Sequence, residues 1–187
     1  MSNNYLVFCD IADEYSSLLA EVDLKRAAEA ALQAENISGE EIELSIAISD
    51  DEEVRELNRQ YRGIDKTTDV LSFASEEEPN WQALTQYQAE SEETEEDEEG
   101  EEESDPNFKL PPEAQPARYL GDIIISYPQA ESQAADFNNS PKREVQELVI
   151  HGVYHLLGYD HETVPNREIM QAKEETAAKI LDRLELD

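Results

Sequence analysis

The chain holds three histidines in 187 residues, and all of them fall within one short run, H-G-V-Y-H-L-L-G-Y-D-H, as His151, His155 and His161. Neutral imidazole is the commonest metal-binding side chain. If the segment up to about Leu157 is helical, His151 and His155 stand at i and i+4, stacked on one face roughly 6 Å apart. Gly158 offers the left-handed residue that commonly ends a helix, so the chain can double back and bring His161 to the same point. Three imidazoles would converge there with a fourth position open to water, the pattern of a catalytic rather than a structural zinc site. A lone histidine on an apolar helix is usually a satisfied core residue. A third one beyond a helix-ending glycine, with none elsewhere, is not explained that way.

Both histidine intervals and the intervening glycine match the extended metalloprotease motif H-E-x-x-H-x-x-G-x-x-H. Position 152 does not: it is Gly, where a protease carries the Glu that acts as general base. Peptide hydrolysis without that group lacks a proton carrier for its poor amine leaving group. A phosphodiester is less demanding, because a metal and a cation can stabilise charge on phosphate and leaving oxygens directly. The missing Glu therefore argues against a protease and leaves room for a phosphodiesterase.

A second constellation lies upstream, L-N-R-Q-Y-R-G-I-D-K-T-T-D-V-L-S-F, from Leu57 to Phe73. Ser49 as N-cap and Glu52 three residues later read as a capping box for a helix running to Tyr61. Gly63 stops that helix, and Thr68 to Ala74 reads as a strand. Arg62 thus stands at a helix end beside a turn, where it either neutralises the helix C-terminus or reaches into a cleft.

The segments N-x-x-Y-R-x-x-D-x-x-T-D-V-L-S-F and H-G-x-x-H-L-x-G-Y-D-H, with L-G-D-I-I-I-S at Leu120 to Ser126 between them, resemble the YbeY family of bacterial ribosomal-RNA maturation factors. These are described as single-strand-specific, zinc-dependent endoribonucleases. The resemblance covers nearly the whole chain outside its acidic stretch. It implies one zinc ion held by His151, His155 and His161, and it implies that Arg62 lines the cleft and contacts RNA phosphate as the catalytic cation. It also implies action on small-subunit ribosomal RNA near its 3′ end and in ribosome quality control, with single-stranded RNA presented on the ribosome. Thr67 is a departure, since the family usually has a proline there, and a proline stiffens a turn.

Charge constrains the partners. The net charge is −32. Between Glu76 and Glu113, sixteen acids stand against the single Lys109. Glu90 to Asp105 is almost pure Glu and Asp, a block that repels itself and cannot bury apolar surface. Glu76 to Ala117 reads as a mostly disordered insertion between two strands, either a solubilising loop or a docking arm for a basic partner such as a ribosomal protein. Free nucleic acid is bound largely by Lys and Arg, so this surface predicts weak binding of naked RNA. Arg59, Arg62 and Lys66 are the cations expected near the cleft. Asp160 and Glu162 either orient imidazoles from outside or cap a turn, and Asp122 is a further candidate for the cleft.

The remaining features place the chain. The start, M-S-N-N-Y-L-V-F-C-D, has no basic segment and too short an apolar run for a signal peptide. Cys9 is alone, so no intramolecular disulfide can form, which fits a reducing cytoplasm. Neither a membrane nor DNA is expected as a partner.

The pattern predicts an α+β fold, a single domain over 1–187 with a small four-stranded mixed sheet covered by about five helices. Strands are expected at Tyr5 to Ile11, Ile42 to Ile48, Thr68 to Ala74 and Tyr119 to Tyr127. Helices are expected at Leu18 to Glu35, Asp50 to Tyr61 and Pro128 to Asp136, then from Ser140/Pro141 through the histidines, and from Pro165 to about Leu184. No regular βαβ alternation is evident. The sequence thus points to a zinc-dependent endoribonuclease. Two readings stay open beside it: a metzincin-like metalloprotease, and a ribosome-assembly factor with a structural zinc.

Overall fold

Alternation decides the sheet. In β2 (Ile42–Ser49) the residues Ile42, Leu44, Ile46 and Ile48 are all 2 % exposed or less, while the residues between them are less buried. This period of two puts one apolar face on the core. The computed structural model describes residues 5–37, 41–75 and 117–186, and residues 1–75 and 117–187 make one compact unit. The expected insertion at 76–117 lies, Ala117 apart, outside the described residues. The other strands are β1 (Tyr5–Ile11), β3 (Val70–Ala74) and β4 (Arg118–Ser126), in the spatial order β1-β2-β4-β3. β1 pairs with β2 and β2 with β4 in parallel, whereas β3 runs antiparallel to β4. The mixed sheet is as expected.

Five α-helices are described: α1 (Glu21–Ala34), α2 (Asp51–Arg62), α3 (Tyr127–Ala134), α4 (Pro141–Leu156) and α5 (Val164–Leu184). The sequence suggests no regular alternation, yet β1–α1–β2 is one parallel crossover unit. Leu24, Ala27, Ala28, Ala31 and Leu32 of α1 join Val149 and Val153 of α4 and Ala177 and Leu181 of α5 in the core on one sheet face. The small alanines of α1 let neighbouring helices approach closely. The other face is covered less fully: Tyr61 of α2 packs against Phe73 there, its ring centre 5.1 Å away, while Phe8 is 55 % exposed.

The helix starts follow local chemistry, with one correction. The N-cap of α2 is Asp50, whose carboxylate accepts the Glu53 N–H at 2.9 Å. Ser49 is instead the last residue of β2 and donates its hydroxyl to Glu53. A carboxylate at the cap competes well with a neighbouring hydroxyl, because the helix N-terminus favours negative charge. Gly63 closes α2 in the left-handed conformation at φ 70°, as expected. Ser140 caps α4 by accepting the Arg143 N–H at 3.2 Å, and Pro141 follows it in the first turn. α5 starts one residue before Pro165, capped by Thr163.

α4 packs over β3 and β4, and Gly152 sits directly against the side chain of Ile123. A Cβ built on Gly152 would lie 2.8 Å from the Ile123 Cγ2 atom. Ile123 is fully buried, a burial worth about 1.5–3 kcal/mol. Gly152→Ala should therefore overpack the helix–sheet seam and destabilise the protein by about 1–3 kcal/mol, measured by urea unfolding. Ile123→Val in the same chain should recover part of the loss; an unchanged midpoint in the single variant would show that the seam has slack.

Candidate metal centre

α4 delivers its histidines by simple geometry. Val145, Val149 and Val153 are fully buried and fix which stripe of the helix faces the core. His151 and His155 occupy another stripe and are partly exposed. The helix ends at Leu156, and Gly158 takes the left-handed conformation at φ 90°. The Gly158 N–H donates to the His155 carbonyl at 3.0 Å, and the Tyr159 N–H donates to the Tyr154 carbonyl at 3.0 Å. These bonds reverse the chain. His161 arrives with its ring 5.6 Å from that of His151 and 5.2 Å from that of His155.

One nitrogen from each ring lies within 4.8 Å of the other two. His151 Nε2 and His155 Nε2 are 3.0 Å apart, near the roughly 3.3 Å that two nitrogens keep around a tetrahedral zinc. The outer nitrogens are also engaged. His151 Nδ1 is 2.7 Å from Glu174 Oε1 on α5, and His155 Nδ1 is 3.0 Å from the Tyr159 carbonyl. A carbonyl only accepts, so His155 Nδ1 donates to it and Nε2 is left facing inward, while the Glu174 carboxylate holds His151 with its Nε2 on the same side. This is the usual outer support of metal-binding histidines. Burial, and then the neighbouring His151, hold His155 below the ordinary histidine range, which keeps it in the neutral, ligating form. Three imidazoles so arranged fit a divalent ion of intermediate softness. Among the described residues no other group of three His, Cys, Asp or Glu gathers in this way.

Arg62 is the last residue of α2, exposed, and in no hydrogen bond or ion pair among the described residues. The other two arginines of α2 are engaged: Arg55 pairs with Asp65 at 2.7 Å, and Arg59 donates to Glu56 at 2.9 Å. Arg59, expected near the cleft, is paired with an acid of its own helix, and both side chains are 55 % exposed. Lys66 is exposed. The turn after Arg62 is held from within α2: Asn58 donates to the Lys66 carbonyl at 2.7 Å, and the Thr67 hydroxyl donates to Asp51 at 3.3 Å. No contact joins Arg62 to the imidazoles.

The acidic candidates resolve differently. Asp160 accepts the Glu162 N–H at 3.0 Å and the Asn166 side chain at 2.9 Å, so it caps the turn into α5 rather than orienting a ring. Asp122 accepts the Tyr119 hydroxyl at 2.6 Å. Its neighbour Ile123 faces α4, so alternation points Asp122 to the opposite face of the sheet. There it lines a groove of about 430 Å³ with Phe8, Asp10, Ser45, Tyr61 and Phe73. Burial pushes the Cys9 thiol up to about 11, away from the nucleophilic thiolate form. No local pattern singles out Glu174, which lies one helix beyond the motif; the only signal for it is the general habit of metal-binding histidines to take a carboxylate partner.

Gly152 also bears on the chemistry. Its Cα faces Ile123, so the position that carries the base in metalloproteases is spent here on seating the helix.

The "Endoribonuclease YbeY" family model matches residues 10–184. A Roseiflexus castenholzii relative of that name is 39 % identical over 171 residues, 91 % of this chain and 89 % of the relative. A Pelotomaculum thermopropionicum relative of the same name is 42 % identical over 164 residues, 87 % of this chain and 85 % of the relative. The fold is similar to a Thermotoga maritima protein solved in solution, with TM-score 0.53 and 24 % identity, over 94 % of this chain and 89 % of that one. With the histidine run inside the matched region and relatives aligned over nine-tenths of its length, the chain belongs to the YbeY endoribonuclease family.

Proposed function

We propose that this endoribonuclease is zinc-dependent and single-strand-specific, and that it acts in maturation of the small-subunit ribosomal RNA 3′ end and in ribosome quality control. The observation that carries the reading is the inward turn of His151 Nε2 and His155 Nε2, 3.0 Å apart with both Nδ1 atoms engaged, in a chain of an endoribonuclease family. His151, His155 and His161 hold the zinc in this proposal. When bound, the ion supplies Lewis acidity and a means of ionising water near neutral pH. Arg62, unpaired and exposed, clamps the scissile phosphate, a task suited to a planar guanidinium with donors in a fixed fork. The reading of a metalloprotease loses its base at Gly152.

The partner is single-stranded ribosomal RNA presented by an assembled particle. A chain of net charge −32 repels free RNA, and docking on a particle brings the substrate to Arg62 without a basic surface. Ribosomal proteins are suitable hosts for the acidic stretch at 76–117. A cytoplasmic location is part of the proposal, supported by the lone Cys9. Among the described residues no helix is long and apolar enough to cross a membrane.

His155→Ala should abolish zinc binding and RNA cleavage together, because two imidazoles hold an open zinc site poorly; stoichiometric zinc in that variant by atomic emission would sink the assignment. Chelation of the wild type should stop cleavage while circular dichroism keeps the folded signal. Unfolding on chelation would favour the assembly factor with structural zinc instead. Arg62→Lys should keep fold and metal but lower turnover about a hundredfold, because loss of a transition-state donor costs about 3 kcal/mol. Unchanged turnover with zinc bound would return Arg62 to a surface role. Replacing residues 76–117 with a short Gly/Ser linker should speed cleavage of free single-stranded RNA at low salt, with the gain shrinking as salt screens the charge. Loss of metal or fold in that deletion would make the segment part of the domain.

A further inference from the structure

Glu35 occupies an unfavourable place. It is the C-cap residue of α1, at the end of a helix whose last turn holds no basic residue. A carboxylate there faces the negative end of the helix dipole, and its side chain is only 14 % exposed. Two partners account for it. Lys173 of α5 donates to Glu35 Oε1 at 2.5 Å, and the Tyr159 hydroxyl donates to Glu35 Oε2 at 2.9 Å. The Lys173 ammonium also lies 4.9 Å from the centre of the Tyr159 ring.

Tyr159 is the residue whose carbonyl accepts from His155 Nδ1. Its position is held at two further points: its N–H donates to the Tyr154 carbonyl, and its ring stands edge-on to Tyr154 at 5.6 Å. Tyr154 is itself tied to α5, where its hydroxyl donates to the Lys173 carbonyl at 3.0 Å. The end of α1, the turn after α4 and the middle of α5 therefore meet on one tyrosine. That tyrosine stands between two of the three histidines in the chain. A local rule broken at such a place, with partners drawn from three elements, is the mark of a positioned site.

We infer that Glu35, Lys173 and Tyr159 form a positioning network for the metal centre: they lock the Tyr159 carbonyl so that His155 keeps its Nδ1 proton outward, and they set the course of the turn that returns His161. None of the three touches the ion or the RNA. Their effect passes through the ligand geometry, and it should appear as metal affinity. This rests on the reading of the three histidines as zinc ligands.

The test is zinc affinity by competition with a chromogenic chelator, on the full chain, alongside the thermal midpoint of the metal-free protein. Glu35→Ala should weaken zinc binding tenfold to a hundredfold, the usual scale for loss of an outer support. Tyr159→Phe, which deletes only the hydroxyl and keeps ring and backbone, should weaken it several-fold, and this variant decides the matter if Glu35→Ala fails to fold. The double variant should bind zinc no more weakly than Glu35→Ala within about twofold, as residues of one network do. Lys25→Ala, which removes an exposed pair with Glu21 elsewhere on α1, should leave affinity unchanged. A merely structural role would lower the metal-free midpoint and spare the affinity. Wild-type affinity in folded Glu35→Ala and Tyr159→Phe would overturn the proposal and leave the metal reading intact. A wild type that takes up no zinc would overturn both.

Discussion

The seat of α4 on β4 is the contact on which the rest depends. Gly152 brings the helix so close to Ile123 that a methyl group would not fit, and this approach fixes the helix's rotation about its own axis. Once that rotation is set, Val149 and Val153 face the core, and His151 and His155 leave the helix on a different stripe. The Nε2 separation of 3.0 Å then follows from helical rise and rotamer, with Glu174 and the Tyr159 carbonyl selecting the rotamers. The placement of the two helical ligands in this protein is thus a consequence of packing, since His151 and His155 stand within one helical turn of the core residues Val149 and Val153.

Electrostatics works against that arrangement and has to be managed locally. The chain is strongly acidic, yet among the described residues the three imidazoles meet only one carboxylate partner, Glu174 on His151. The acids nearest in sequence are diverted: Asp160 spends its oxygens on the Glu162 N–H and Asn166, at the N-terminal end of α5 where negative charge is favourable. α2 shows the same economy in reverse. Arg55 and Arg59 are neutralised by Asp65 and Glu56, and Arg62 alone of the three is left unpaired at the helix end. In an acidic protein, a cation without a local partner is suited to receive an external anion, as the role proposed for Arg62 requires.

Much of this was legible in the sequence because it rests on short-range rules. The period-two run Ile42 to Ile48, the Ser140–Pro141 start and the helix-ending glycines Gly63 and Gly158 each encode their structure within a few residues, and the structure follows them. The cap of α2 slipped by one residue because Ser49 and Asp50 are both good caps, and only the end of β2 decides between them. What could not be read was whatever depends on contacts between distant segments. The parallel crossover β1–α1–β2 is a matter of strand order. Glu174 and Glu35 are ordinary surface acids by local pattern, in a chain with 46 acids, and they acquire meaning only when α5 and the end of α1 converge on the turn. The pairing of Arg59 with Glu56 was legible too, because Glu56 lies three residues away on its own face of the helix, a spacing at which ion pairs form.

Thr67 shows how the fold replaces one device with another. The resemblance sets a proline at this position, where a fixed φ would stiffen the turn after Arg62. Here the stiffness comes from side chains. Asp51, in the first turn of α2, accepts from the Thr67 hydroxyl at 3.3 Å, the Ser126 hydroxyl at 2.5 Å and the Gln129 amide at 2.9 Å. One carboxylate thereby ties the turn to the end of β4 and the start of α3. Asn58 adds its bond to the Lys66 carbonyl, and Arg55 its pair with Asp65. A proline acts by restricting the unfolded chain, whereas these bonds act only in the folded one. The course of the turn that leads away from Arg62 is therefore coupled to the docking of α2 against β4 and α3, and Arg62 keeps its place only while that corner of the fold is closed.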